Sequence, residues 1–205
     1  MIDRRTFFAA ALAAGATGLT RPAFAHTKSE PYELPEEFLP REVRLKTELA
    51  PGEIHVDPQL FALYWTLPDN RAIRYTVGVG RGNLYHDGVF TVLRKKKWPG
   101  WKPTPAMMKR EPNAYKNFRP GGKYENGQPG GLNNPLGAMA LYLYDDRGRD
   151  TYLRIHGTNQ PRTIGTAVSN GCARLINAHA LDLYERVPLN TRVVLYPKTE
   201  PTGLA

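Results

Sequence analysis

The 205-residue chain contains a single cysteine, Cys172. No disulfide can form within it, and no C-x-x-C or paired H-x-x-x-H spacing supplies the ligands of a zinc site. Neither a metal nor a cofactor is expected. Long apolar runs are missing too. The apolar stretch that ends at Leu19 is about 13 residues, against the roughly 20 that cross a bilayer core as a helix, so no membrane span is expected. Internal repeats, heptads and low-complexity blocks are absent, which sets aside solenoids and coiled coils. The formal net charge is +9, yet the run Lys95-Lys96-Lys97 is too short to be a specific nucleic-acid motif. It reads as a solvated strand end or loop, and no nucleic-acid partner is expected.

What the chain does have begins at its N-terminus. A charged start with Arg4-Arg5, an Ala- and Gly-rich apolar run and Ala23-Phe24-Ala25 make a cleavable export signal over residues 1–25. Arg4-Arg5 followed by Phe7-Phe8 resembles a twin-arginine address, which implies a periplasmic location. Cleavage leaves His26 first, one domain of about 180 residues, and a net charge of about +7. Anionic lipid headgroups and wall peptides are the polyanions such a protein meets. A lone thiol in an oxidising compartment is either reactive, bridged to another molecule, or buried and inert. Its neighbours decide.

Residues 26–43, with Pro31, Pro35 and Pro40, read as an extended arm. From Arg44 onward short β-rich runs follow, among them Leu60–Trp65 and Ala72–Val77. Pro51-Gly52, Asp57-Pro58 and Pro68-Asp69-Asn70 punctuate them at hairpin spacing. Residues 97–135 are dense in Pro and Gly but carry Trp98, Trp101, Met107, Met108 and Tyr115, so they read as an ordered lid. Strand texture returns at Ala138–Tyr144 and Tyr152–Ile155. A helix is predicted from an N-cap near Asn177 to about Val187, stopped by Pro188. Thr191–Tyr196 supplies a final strand, and 198–205 a tail. The fold class is mainly β, a sandwich or mixed sheet with one or two short helices.

Chemistry concentrates in Ile155-His156-Gly157-Thr158 and Ser169-Asn170-Gly171-Cys172-Ala173-Arg174. A thiol attacks a carbonyl as the thiolate, so a nucleophilic cysteine needs a neighbouring base or positive charge. His156 ends a predicted strand, and Gly171 permits a tight turn that brings the sulfur back toward that imidazole. Papain-like enzymes place Cys before His, whereas here His156 comes first. H-G-T followed by S-x-G-C-x-R resembles the catalytic signature of the L,D-transpeptidase family with the YkuD-type fold. Gly78-Val79-Gly80, Asn134-Pro135-Leu136-Gly137 and the closing helix and strand share the likeness, which covers roughly residues 44–197.

The resemblance implies Cys172 as nucleophile and His156 as its base. Arg174 then helps hold the substrate or the nucleophile turn, or serves only as a salt-bridge partner. Backbone N–H groups at Gly171 and Cys172 form the oxyanion hole, and Ser169 orders the turn. The family often has a second His where this chain has Asn170, an amide that cannot act as acid or base near neutral pH. Orientation of His156 then falls to Asn170, Gly157 or Ser169. The implied reaction takes a peptidoglycan tetrapeptide stem, expels D-Ala, and passes the acyl group to an amine on another stem or on an outer-membrane protein. With water as acceptor the same chemistry is that of an L,D-carboxypeptidase, and loss of turnover would leave a wall-binding protein. His55, His86 and His179 read as surface or loop polarity, His86 lying where a pocket wall could be. Tyr142 and Trp101 read as packing residues.

Overall fold

A computed structural model describes residues 32–199 and 202–205. The export signal expected over 1–25 and the first residues of the arm lie outside them. Eleven strands follow in chain order: β1 (Arg41–Arg44), β2 (Ile54–Asp57), β3 (Ala62–Leu67), β4 (Arg71–Thr76), β5 (Val79–Gly80), β6 (Gly88–Lys97), β7 (Met139–Tyr144), β8 (Asp150–His156), β9 (Ala167–Ser169), β10 (Ala173–Arg174) and β11 (Arg192–Leu195). Two α-helices join them, α1 (Pro105–Arg110) and α2 (Asn177–Arg186).

Nine strands make one mixed sheet in the order β1-β4-β3-β2-β11-β6-β7-β8-β10, and β5 pairs with β9 in a small second sheet. Most neighbours are antiparallel, as short connections require, while β11 on β2 and β10 on β8 are parallel. The β3–β4 hairpin turns at Asp69 and Asn70, both at positive φ (60° and 54°), a pairing whose twist suits adjoining strands. The main core packs Ile54, Leu63, Tyr75, Met139, Leu141 and Ile155 against Ala180 and Leu183 of α2. A smaller cluster gathers Leu45, Tyr64 and Leu204.

Several expectations change at this level. The sheet takes in Arg41–Arg44, which pair with β4, so the extended arm gives way to strand at Arg41. The residues after Leu195 also return to the fold: Leu204 is 1% exposed and its carbonyl accepts from Lys46 N at 2.9 Å. The lysine run is a strand end, with Lys96 and Lys97 exposed as read, but Lys95 is half-buried and does structural work. Lys95 Nζ donates to the carbonyls of Tyr184 (2.6 Å) and Val187 at the C-terminus of α2, where unpaired carbonyls favour a cation. Lys97 pairs with Glu185 at 2.6 Å.

The helix cap also differs. Ile176 occupies the N-cap position without a side-chain bond. Asn177 Oδ1 instead accepts from Ala138 N (2.9 Å) and Thr158 N (3.1 Å), tying the start of β7 to the end of β8. His55 and His179 are buried rather than surface residues. The His55 ring lies between Glu53 Oε2 (3.0 Å) and Tyr196 OH (3.1 Å), and His179 packs on Tyr75. Both are buried, His55 with polar partners on both ring nitrogens and His179 by ring packing, a placement that an isolated His in a sequence does not disclose.

Candidate active site

The thiol sits on a turn that only glycine can make. Gly171 has φ +124°, and a Cβ there would lie 2.9 Å from Leu84 O and 3.1 Å from Leu153 Cδ2. Ser169, the last residue of β9, locks the turn by donating Oγ–H to Cys172 O (2.6 Å) and accepting from Gly171 N (3.2 Å). Gly80 of β5 presses on the same turn, since a Cβ on it would come within 3.0 Å of Gly171 Cα. His86 is exposed nearby, its Cδ2 3.8 Å from the Cβ position of Gly171.

β10 then runs parallel to β8 with Ala173 opposite Ile155 and Arg174 opposite His156. Cys172 is therefore one step behind Ala173, beside the backbone of β8, and its Sγ donates to Tyr152 O at 4.0 Å. Tyr152 is a non-glycine residue at φ +62° in the middle of a strand. Between Tyr142 opposite Arg154 and Tyr144 opposite Asp150, β8 spends more residues than β7 does, so it bulges there. Backbone strain of this kind collects at functional sites. Here it turns the Tyr152 carbonyl and the Arg154 N–H toward the sulfur. Tyr152, Arg154 and Asp150 are site residues that sequence reading missed, because the bulge leaves no motif.

Burial pushes the Cys172 thiol pKa up, outweighing the Arg154 N–H and the Arg154 and Arg174 charges that favour thiolate. His156, 4% exposed, moves the other way. Burial and the two arginines lower its pKa to about 3, against the opposing pull of the Gly157 and Leu136 carbonyls. The Nδ1 atom lies 2.5 Å from Gly157 O. A carbonyl only accepts, so Nδ1 carries the proton and the neutral ring keeps its lone pair on Nε2. Gly157, rather than Asn170 or Ser169, orients the imidazole. Among the described residues no hydrogen bond joins Cys172, which precedes β10, to His156 of β8, and both pKa shifts favour the neutral thiol and the neutral imidazole.

Gly157 is in turn held by Asn177. A Cβ on Gly157 would fall 2.3 Å from Asn177 Oδ1, and one on Gly137 2.2 Å from the same atom. Asn134, 1% exposed, donates to Gln128 O and Pro129 O and accepts from Leu136 N, which sets the carbonyl of Leu136 toward the imidazole. Arg174 exchanges backbone bonds with Gly78 (2.8 and 2.9 Å) and donates Nη2 to Thr163 Oγ1 at 3.0 Å, while its Nε is buried without a partner among the described residues. Arg154 is held by a bidentate pair with Asp150 (2.7 and 2.8 Å) and stacks over Tyr142 at 4.2 Å. Tyr142 thus packs as expected, with a cation on its face.

A match to the YkuD family, the L,D-transpeptidase catalytic domain, covers residues 51–195. The chain belongs to the L,D-transpeptidase family. It is 32% identical over 174 residues to the Escherichia coli (strain K12) protein named probable L,D-transpeptidase ErfK/SrfK, covering 80% of this chain and 52% of that one. The chain thus spans about half the length of that relative. Among solved structures it is similar to a Brucella melitensis protein named probable carnitine operon oxidoreductase caia, with a TM-score of 0.52 and 43% identity over 78% of this chain and 94% of that one. That name speaks of the Brucella protein alone. A C442S mutant of Enterococcus faecium L,D-transpeptidase shares the fold, with a TM-score of 0.50 and 18% identity over 72% of this chain and 50% of that one.

In this member of the L,D-transpeptidase family, residues 97–135 form an ordered body with its own small core. Trp101 meets Phe118 edge to face with centroids 5.1 Å apart, and Tyr115 and Tyr124 complete the cluster. Helix α1 begins at Thr104, whose Oγ1 accepts from Met107 N with Pro105 next in line, a cap legible in the sequence as Thr-Pro. The segment reaches the Gly171-Cys172 turn at Asn170. Its Oδ1 accepts from Arg110 Nη2 (2.7 Å) and Arg81 Nη2 (3.4 Å), and its Nδ2 donates to Tyr115 OH (3.2 Å).

Proposed function

We propose that this chain is an exported L,D-transpeptidase that acts on peptidoglycan tetrapeptide stems through a thioester on Cys172. The observation that carries the reading is the His156 imidazole, kept neutral by burial and donating Nδ1–H to Gly157 O, one paired strand away from the half-buried thiol. His156 Nε2 takes the Sγ proton as the sulfur attacks the carbonyl that joins the L-centre of diaminopimelate to the terminal D-Ala. Both partners start neutral, so charge develops only during attack. Arg154 and Arg174 favour the thiolate and the developing oxyanion.

The oxyanion hole falls to Cys172 N–H, because Gly171 N–H already serves Ser169 Oγ. Collapse of the tetrahedral adduct breaks the C–N bond, and the imidazolium returns its proton to the departing D-Ala amine. An amine then attacks the thioester, forming an amide and freeing the thiol. That amine belongs to a second stem, giving a 3–3 cross-link, or to an outer-membrane protein. The export signal read over residues 1–25 places this work in the periplasm, by the twin-arginine route.

Incubation of the folded protein with a purified disaccharide-tetrapeptide, followed by mass spectrometry, tests the reading. A Cys172 adduct lacking D-Ala, with amide-linked product, is expected, and Cys172→Ala should give neither. Free D-Ala without amide product would make the enzyme an L,D-carboxypeptidase. Absence of both adduct and product from folded protein would leave a wall-binding protein and overturn the enzyme reading.

A further inference from the structure

Two arginines from separate segments converge beside the nucleophile turn. Arg81 follows β5, and Arg110 ends α1 in the lid. Both direct Nη2 at Asn170 Oδ1, a neutral acceptor two residues from Cys172. Both also share a single carboxylate, Glu111, which pairs with Arg81 and lies 3.5 Å from Arg110 Nε. Two positive charges thus meet one negative charge, and one positive charge is left over.

Their environment is open to solvent, with the side chains of Arg81 and Arg110 46% and 34% exposed. Arg81 Nε and Nη1 and Arg110 Nη1 make no hydrogen bond among the described residues. Guanidinium forks match carboxylates in pairs of parallel bonds and form weaker bonds to a neutral amide. Glu111 demonstrates that a carboxylate fits between these two groups. Asn170 supplies neither charge nor a second oxygen, so the cluster lacks one anion.

We propose that Arg81 and Arg110 form a carboxylate-binding subsite at the mouth of the Cys172 site, which recognises the free carboxylate of the peptide that is cut. In the reading of Cys172 as an acylated thiol, on which this rests, the departing D-amino acid carries such a carboxylate close to the scissile bond. The subsite would then select peptides that end there. Asn170 holds the two guanidiniums in place while the subsite is empty, and Tyr115 fixes the amide's orientation by accepting from Nδ2.

The test uses two thiol reagents and needs no turnover. The rate of Cys172 reaction with the dicarboxylate 5,5′-dithiobis(2-nitrobenzoate) is divided by its rate with neutral 4,4′-dithiodipyridine, in the wild type, Arg110→Gln, Arg81→Gln and Arg110→Lys. Each Gln variant should lower the ratio about three- to tenfold, and Lys, which keeps charge without the fork, should fall between. Thermal unfolding and the neutral-reagent rate establish that each variant is folded. A rise in both rates by the same factor would show that the arginines only shut the lid, and would overturn the subsite. So would an unchanged ratio. In parallel, a stem peptide and its C-terminal carboxamide are compared as substrates. Loss of the wild-type preference for the free acid in Arg110→Gln supports the subsite. Turnover of neither peptide by the wild type would count against the thioester reading, while the reagent ratio still judges the subsite.

Discussion

The carbonyl of Gly157 accepts a hydrogen bond from Nδ1–H of His156 at 2.5 Å, and this one bond leaves Nε2 as the nitrogen with a free lone pair. The resting pair is neutral, since burial raises the thiol pKa and lowers the imidazole's to about 3. Alkylation of Cys172 by iodoacetamide should therefore climb with pH to a midpoint above the ordinary thiol value of about 8.5. A plateau reached by pH 6, as a preformed thiolate-imidazolium pair gives, would contradict the neutral pair.

Stability should fall in acid, with a sign set by the same histidine. A buried imidazole that stays neutral in the fold but gains a proton on unfolding stabilises the native state above the ordinary His value. That stabilisation is lost as pH drops through the window from about 6.5 toward 3. For His156 the slope approaches about 1.4 kcal/mol per pH unit inside that window. His55 and His179, also lowered by burial, add with the same sign, partly opposed by Glu53 and Asp182. Calorimetry should show Tm falling steadily from pH 7 to 4, and a flat Tm there would rule out the neutral buried imidazoles.

Much of this site was legible before any coordinates. The order His156 then Cys172, Gly171 as the enabling turn residue, and the Pro/Gly-dense segment as an ordered body all follow from residue chemistry and spacing. The site's backbone groups were not legible. The Gly157 and Leu136 carbonyls, the Tyr152 bulge and the Arg154 N–H act through main-chain direction, and main-chain atoms are the same at every residue. Asn177 was misread for a related reason. Its type suits an N-cap, but two N–H groups brought close by tertiary packing compete for its oxygen and win. Lys95 likewise looked solvated until the end of α2 was placed above it.

The Asn177 amide should matter for both stability and activity. Asn177→Ala leaves the N–H groups of Ala138 and Thr158 without their acceptor, at a cost of about 1–3 kcal/mol. Gly157→Ala attacks the same contact from the other side, with a Cβ 2.3 Å from Asn177 Oδ1, and should cost a similar amount through overpacking. Because Gly157 carries the carbonyl that orients His156, the glycine variant should lose more turnover than its change in urea midpoint explains. Equal losses in both measures would reduce Gly157 to a packing role.

Asn170→His is the change that asks whether this chain lacks a catalytic group or has put the position to another use. Asn170 offers one oxygen to Arg110 and Arg81 and one N–H to Tyr115. A neutral imidazole has one acceptor and one donor at fixed angles, so it replaces only part of that set. The two guanidiniums beside it also disfavour the imidazolium, which removes any acid role near neutral pH. Turnover on the tetrapeptide should fall by about fivefold, the equivalent of one ordinary hydrogen bond. A large rise instead would mean that the chain works without an imidazole its site was built to use.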